Sequence, residues 1–196
     1  MGNRAVITTA DKEIGIYLHW NGGRDSVEAF LTYCKIRGYR CPENDCYGWA
    51  RLCQVIGNFF GGEYSVGIDV YKKLDIDNGD NGTYIIKDWQ IIGKEFEPLE
   101  ARDEENFKEM LRVINKSQPV TEQFDKETME REINNYLVST ITTRQIKAIH
   151  AIINELGFTE YRYKQILKYL FEVNTCKELT EKQASVLIEM LNKMKG

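Results

Sequence analysis

The turn from Trp20 to Ser26 contains the residues whose types and spacing best fit the binding of an anion. An apolar run leads into two glycines, and a helical pattern follows them. Glycines let a backbone approach a ligand closely, and the free N–H groups at the start of a helix favour negative charge. Arg24 could hold a phosphate or a carboxylate through two hydrogen bonds. The candidate anion-binding or ligand-binding residues are Asn21, Gly22, Gly23, Arg24 and Ser26.

A plain structural turn also explains these residues. Asp25 can cap the following helix, and Glu28 stands three residues later, at the spacing of a capping box. A capping carboxylate would occupy the N–H donors that an anion needs. Neither a Walker loop nor the spacing of a dinucleotide fingerprint is present.

The segment from 75 to 82, hereafter the acidic loop, is rich in carboxylates. Its order is not that of a calcium loop, because Gly79 holds the third ligand position and Asp80 stands where the glycine is needed. Its Asn-Gly pairs favour a hairpin connection. The acids could bind a basic protein surface, and a solvated loop is the alternative. The candidate partner-binding residues are Asp75, Asp77 and Asp80.

Four cysteines in the first third of the chain raise the question of a zinc site. Thiolate sites usually come as close pairs, whereas six, four and six residues separate these cysteines. Two of them also fall on the apolar stripes of predicted helices, where small buried cysteines are common. The four residues are Cys34, Cys41, Cys46 and Cys53. We therefore predict no metal site and no cofactor. No catalytic set is predicted either. As a general base His19 would need an orienting carboxylate, which Asp25 or Asp45 could supply, but we expect a partly exposed or structural histidine there and a surface position for His150.

The last third of the chain carries the candidate nucleic-acid contacts. Cations are interleaved there with Tyr161, Tyr163 and Tyr169, which suits phosphate contacts combined with stacking on bases. We expect the cations to share one face, and an ordinary solvated helical surface is the alternative. The candidate residues are Arg144, Lys147, Arg162, Lys164 and Lys168.

The elements that must position these residues indicate an α+β domain over residues 1–100, in the order ββααββ. Strands are expected at 4–9, 14–20, 64–74 and 83–92, where β-branched and aromatic residues concentrate. Helices are expected after Asp25 and after Asp45, ending at Gly38 and Gly61. These elements predict an antiparallel sheet with the helices on one face.

Helical patterns account for the remaining residues. We predict a helical connector over 101–139 and an all-α module of three helices over 140–196. Capping boxes at Thr142 and Thr180, and a helix start at Thr159, mark where the three helices begin.

The three-helix segment resembles part of a phage-associated family. The runs that carry the resemblance are 143–150, 161–171 and 177–185, which include Gln-Ile-Lys-Ala-Ile-His and Leu-Thr-Glu-Lys-Gln-Ala-Ser. They are similar to the helical module of the Mu GemA-like family and to the tails of phage recombination proteins. In the front segment, runs 15–23 and 47–52 resemble small proteins of phages and mobile elements, among which anti-CRISPR proteins occur. The resemblance implies a mobile-element origin and no particular reaction.

The overall charge hides an uneven distribution. The chain has 196 residues and a net charge of −4, with 24 acids and 17 bases in residues 1–139 but 6 acids and 9 bases in residues 140–196. This balance argues against a cationic coat protein and restricts DNA contact to the last third. No apolar run reaches the ~18 residues that span a membrane. Five cysteines, an odd number, indicate a reducing cytoplasm rather than a disulfide scaffold.

A non-enzymatic binding function is therefore expected. The first hypothesis is a counter-defence protein of the anti-CRISPR type in the cytoplasm of the bacterial host. It would bind a host defence effector, such as a CRISPR nuclease, or its nucleic acid. The second is a DNA-binding recombination or replication accessory protein, and the third is a protein that binds or sequesters a small nucleotide ligand. No membrane partner is expected, and self-association is expected because a small sheet leaves unprotected edges.

Overall fold

The computed structural model describes residues 2–100, 102–139 and 141–195. These residues form an α+β fold of five strands and seven helices. The chain divides into two compact units, of which the first ends at Met129 and the second begins at Glu130.

A mixed five-stranded sheet forms the centre of the first unit. Its strands lie in the order β3-β2-β1-β4-β5, so β3 and β5 are the two edge strands. Every residue of the central strand β1 is buried, which means that both faces of this strand are covered. The strands are β1 (Ala5–Thr9), β2 (Ile14–Leu18), β3 (Val66–Val70), β4 (Thr83–Lys87) and β5 (Gln90–Glu95).

The pairing of β1 with β4 is parallel, which corrects the prediction of an antiparallel sheet. Val6 lies opposite Thr83 and Thr9 lies opposite Ile86 in this ladder, whereas the other three pairings are antiparallel. Parallel neighbours need a long crossover connection. Here the connection contains β2, two α-helices and β3, and β4 lies beside β1 rather than beside the strand that precedes it in the chain.

A tight hairpin replaces the single strand that the sequence predicts over 83–92. Only Asp88 and Trp89 separate β4 from β5, and their φ angles are 50° and 59°. Two positive φ angles are what a two-residue hairpin turn requires, and asparagine or glycine usually supplies them. Trp89 hides the turn in the sequence, because a bulky aromatic residue is rarely found at positive φ.

Helices cover the sheet of the first unit. α1 (Arg24–Ile36) packs against α2 (Cys46–Phe60), α3 (Glu104–Ser117) and β5. The apolar face of α3 is fully buried, so the segment predicted as a connector begins with a helix of this core. α4 (Lys126–Ser139) crosses the boundary between the two units.

The second unit contains the three helices whose starts the sequence predicts, together with most of α4. They are α5 (Thr143–Glu155), α6 (Glu160–Phe171) and α7 (Glu181–Lys193). The capping boxes at Thr142 and Thr180 are both formed, and Thr159 caps α6. A buried cluster joins the helices; among its members are Ile149, Ile153, Tyr163, Leu167, Leu187 and Leu191.

Candidate functional site

Of the two glycines in the turn from Trp20 to Ser26, Gly22 is explained by close packing on the chain before β1. The N–H of Gly22 donates to the carbonyl of Asn3 at 2.7 Å. A Cβ on Gly22 would lie 2.6 Å from that oxygen, which no real side chain tolerates. Gly23 is the N-cap of α1 and provides no side-chain cap. The prediction that Asp25 caps α1 is wrong, because its carboxylate instead accepts the N–H of Asp103 at 2.8 Å.

Arg24 is held by acceptors within the protein. Its Nε lies 3.3 Å from Oε2 of Glu28, and its Nη1 donates to the carbonyl of Glu100. Glu28 in turn accepts from Arg102, so it does not reach back to form the predicted capping box. The five candidate anion-binding residues lie along one short segment, and two of them, Asn21 and Ser26, are half-buried. The guanidinium that should grip the anion is already paired.

Asn78 organises the acidic loop from its centre. Its buried side chain accepts the N–H groups of Asp80, Asn81 and Gly82 at Oδ1, at distances of 3.0 to 3.2 Å. Its Nδ2 donates to the carbonyls of Asp75 and Gly82. One amide therefore satisfies five backbone groups and fixes the shape of the loop.

Two of the three loop acids are paired with one cation. Nε of Arg4 lies 2.7 Å from Oδ2 of Asp80, and Nη1 lies 3.5 Å from Oδ2 of Asp75. The hydrogen bond from Arg4 lowers the pKa of the Asp80 carboxyl. Asp77 is exposed. The loop thus presents less negative charge than its sequence predicts.

The five candidate cations of the second unit do not share one face. Arg162 and Lys164 are two residues apart in α6, about 200° around the helix. Arg162 lies over the ring of Phe158 at 4.1 Å, and Lys164 pairs with Glu160 at 2.7 Å. Lys168 is exposed.

Arg144 and Lys147 are both exposed and lie one turn apart on α5. Of the three tyrosines expected to stack on bases, Tyr161 and Tyr169 are exposed. Tyr163 is buried in the helical core, so its proposed role is wrong.

A cluster that the sequence does not predict lies between the α1–α2 loop and the β4–β5 turn. Sγ of Cys41 and one carboxylate oxygen each of Glu43 and Asp88 all lie within 4.8 Å of one another. Cys41 and Glu43 are half-buried, and Asp88 is exposed. We refer to these three residues as the Cys41 cluster.

The positions of the Cys41 cluster follow from two anchoring contacts. Nε1 of the buried Trp89 donates to the carbonyl of Tyr39 at 2.9 Å, which holds the hairpin turn against the loop. The N–H of Asp88 donates to Oε1 of Glu43. On the other side, Gly48 lets the first turn of α2 approach the backbone of Cys41 so closely that an added Cβ would lie 2.4 Å from its carbonyl carbon.

The second carboxylate oxygen of Glu43 is the unusual atom of the cluster. Oε2 is buried and has no hydrogen-bond partner among the described residues. Burial, followed by the charges of Glu43 and Asp88, raises the pKa of the Cys41 thiol to about 11. The thiol is therefore protonated at neutral pH. The only sequence signal for this cluster is the spacing of Cys41 and Glu43, two residues apart in a loop, and Asp88 is remote in sequence.

The remaining cysteines and both histidines lie elsewhere. Cys34 is fully buried, and burial raises the pKa of its thiol well above the ordinary value. His19 lies 3.2 Å from the hydroxyl of Tyr17. Nε2 of His150 lies 3.7 Å from Sγ of Cys176, which is buried in the core of the second unit. Among the described residues, the potential metal ligands that lie together with Cys41 are two carboxylates and not the other cysteines of the set weighed for zinc.

Comparisons of the chain with protein-family models, with curated proteins and with solved structures find no match. Within the described residues, no helix has both the length and the apolar character needed to cross a membrane.

Proposed function

We propose that the chain is a non-enzymatic counter-defence protein of a phage or mobile element, of the anti-CRISPR type, that binds a host effector protein. The observation that carries the binding part is the edge strand β3. The mobile-element part rests on the resemblance of the three-helix segment to phage proteins.

The strand β3 is suited to pairing with another chain. It pairs with β2 on one side and with no described strand on the other. Ile68 and Val70 are 55% and 47% exposed, and Tyr64, just before the strand, is fully exposed. Edge strands in monomeric proteins are usually blunted by charge, proline or a covering segment. β3 contains no proline and one charged residue, Asp69. An exposed edge that carries Ile68 and Val70 supports the addition of a strand from a partner, in which backbone hydrogen bonds give affinity and side chains give specificity.

The charge of the first unit favours an effector that handles nucleic acid. Residues 1–129 carry 22 acids and 16 bases. Proteins that bind nucleic acid present basic surfaces, which attract an acidic partner and speed the encounter.

The experiment measures inhibition of a purified CRISPR nuclease, with direct binding followed by calorimetry. The variants Ile68→Lys and Val70→Lys should abolish binding and inhibition, because a lysine at either position disrupts an apolar strand contact. Val186→Lys is the matched control, since Val186 is 44% exposed on α7 in the other unit. Failure of the wild-type protein to bind or inhibit any effector tested, or wild-type inhibition by both edge variants, would contradict the proposal.

A second candidate function is DNA binding by the second unit, favoured by Arg144 and Lys147. Neither forms a salt bridge with a described residue, and both are exposed on α5. Arg144→Ala and Lys147→Ala should each weaken DNA binding and reduce the slope of log K against log salt by about 0.9. Lys193→Ala is the control, because this lysine pairs with Glu189 at 2.7 Å. A flat salt dependence of the wild-type protein would remove this candidate.

A further inference from the structure

We propose that Cys41, Glu43 and Asp88 form a binding site for a divalent transition-metal ion of the zinc class. The site is independent of the proposed function, because it lies at the α1–α2 loop and the β4–β5 turn rather than on β3.

The geometry of the Cys41 cluster is close to that of a three-ligand site. The three ligand atoms lie within 4.8 Å of one another. With Zn–S near 2.3 Å and Zn–O near 2.0 Å, the sulfur and oxygen ligands of a tetrahedral ion lie roughly 3.5 Å apart. A contraction of at most about 1.3 Å closes the set, and rotation of the exposed side chain of Asp88 can shorten its two distances to the other ligands.

The buried oxygen of Glu43 is an independent indication of a ligand. Oε1 is occupied by the N–H of Asp88, whereas Oε2 is buried without a hydrogen-bond partner among the described residues. A buried polar atom left without a partner costs free energy, and a buried carboxylate is normally paired or bound to metal. A cation between Oε2 and the thiol would satisfy this atom, which none of the described side chains does.

The donor types determine the class of ion. A thiolate selects zinc, cobalt or iron over magnesium and calcium, which take oxygen ligands. Three protein ligands leave one coordination position for water or for a group of a partner molecule, as in zinc sites that are open rather than purely structural.

The test uses the full chain, freed of metal with a chelator and titrated with Co²⁺ and then Zn²⁺. Cobalt bound by a thiolate shows a sulfur-to-metal charge-transfer band in the near ultraviolet, and zinc should displace it at one ion per chain. In Cys41→Ser the band should disappear. The dissociation constant of zinc should rise more than roughly a hundredfold, beyond the loss typical of an outer-shell partner.

The variant Cys46→Ser is the matched control, because Cys46 is an exposed cysteine five residues away at the start of α2. It should keep both the band and the affinity. Glu43→Gln and Asp88→Asn test the carboxylates and should each weaken zinc binding at least tenfold, with circular dichroism unchanged in chelator. The proposal is overturned if the wild-type protein binds no cobalt, or if Cys41→Ser keeps the wild-type band.

Discussion

The acidic loop and the Cys41 cluster both bring carboxylates together in the first unit, but they differ in how far the protein satisfies them. In the acidic loop, Asn78 bonds five backbone groups and Arg4 pairs with two of the three acids. In the Cys41 cluster, Oε2 of Glu43 has no partner among the described residues. A high density of acidic residues in the sequence is thus a poor guide to a binding site. A buried polar atom without a partner in the fold is a better guide.

The largest effect is expected from Asn78→Ala in the acidic loop. Removing the side chain leaves buried backbone groups without partners, and the loss should be about 3 kcal/mol in the free energy of unfolding. Urea denaturation measures it, and Asp77→Ala should change stability by less than about 0.5 kcal/mol, as surface substitutions usually do. If the two variants changed the free energy of unfolding equally, the hydrogen bonds of Asn78 would not stabilise the acidic loop, and the contrast with the Cys41 cluster would be wrong.

The reactivity of Cys41 provides a second comparison, in metal-free protein. Because the pKa of this thiol is raised to about 11, its alkylation by iodoacetamide should be slow at neutral pH. The rate should rise about tenfold per pH unit until the pH approaches that value, since only the thiolate reacts. Peptide mapping by mass spectrometry follows the site directly. A rate that levels off near neutral pH would contradict the raised pKa of this thiol, which burial and the neighbouring carboxylates cause.

Glu43→Gln should act in the opposite direction to Asn78→Ala when metal is absent. The amide keeps an oxygen for the N–H of Asp88 and removes the negative charge of a half-buried carboxylate that lies beside Asp88. The metal-free variant should therefore be more stable than the wild type by about 1 kcal/mol. Thermal unfolding in chelator measures the change. A clear loss of stability would mean that the carboxylate already has a partner.

The smallest effect concerns the pairing of Asp80 with Arg4. The pKa of Asp80 is lowered in the fold, so the pair adds stability above the ordinary aspartate pKa of 3.8 and loses it as the pH falls through the lower folded value. Asp80→Asn should be less stable than the wild type at neutral pH, and the two proteins should converge in strong acid. Denaturation at several pH values tests this, and a difference that persists undiminished in strong acid would contradict it.

Most helix starts could be predicted from the sequence, whereas the pairing of the strands could not. The helix start after Asp45 and the capping boxes at Thr142 and Thr180 are confirmed, because a cap depends on residues within one turn. The cap predicted at Asp25 is the exception. The parallel pairing of β1 with β4 joins residues more than 70 positions apart, and no short pattern encodes it.

The candidate site shows the same division. Cys41 and Glu43 are two residues apart, but in the sequence Cys41 stands out only as one of four cysteines and Glu43 does not stand out. Asp88 joins them because it lies in a hairpin turn, at a position where the sequence predicts the middle of a strand. Conversely, the sequence marks Gly22 as a turn residue, but the backbone contact with Asn3 that requires a glycine there is not visible in the sequence.

At the turn of Asp88 and Trp89, the residue types that best suit the backbone differ from those that form the Cys41 cluster. Its positive φ angles would suit Asn-Gly better than the residues present, and non-glycine residues there cost of order 1 kcal/mol each. Asn-Gly would keep the hairpin but discard both the carboxylate of Asp88 and the anchor that Trp89 provides to Tyr39. Replacing these two residues with Asn-Gly should therefore raise the intrinsic stability of the turn and remove one ligand of the proposed metal site.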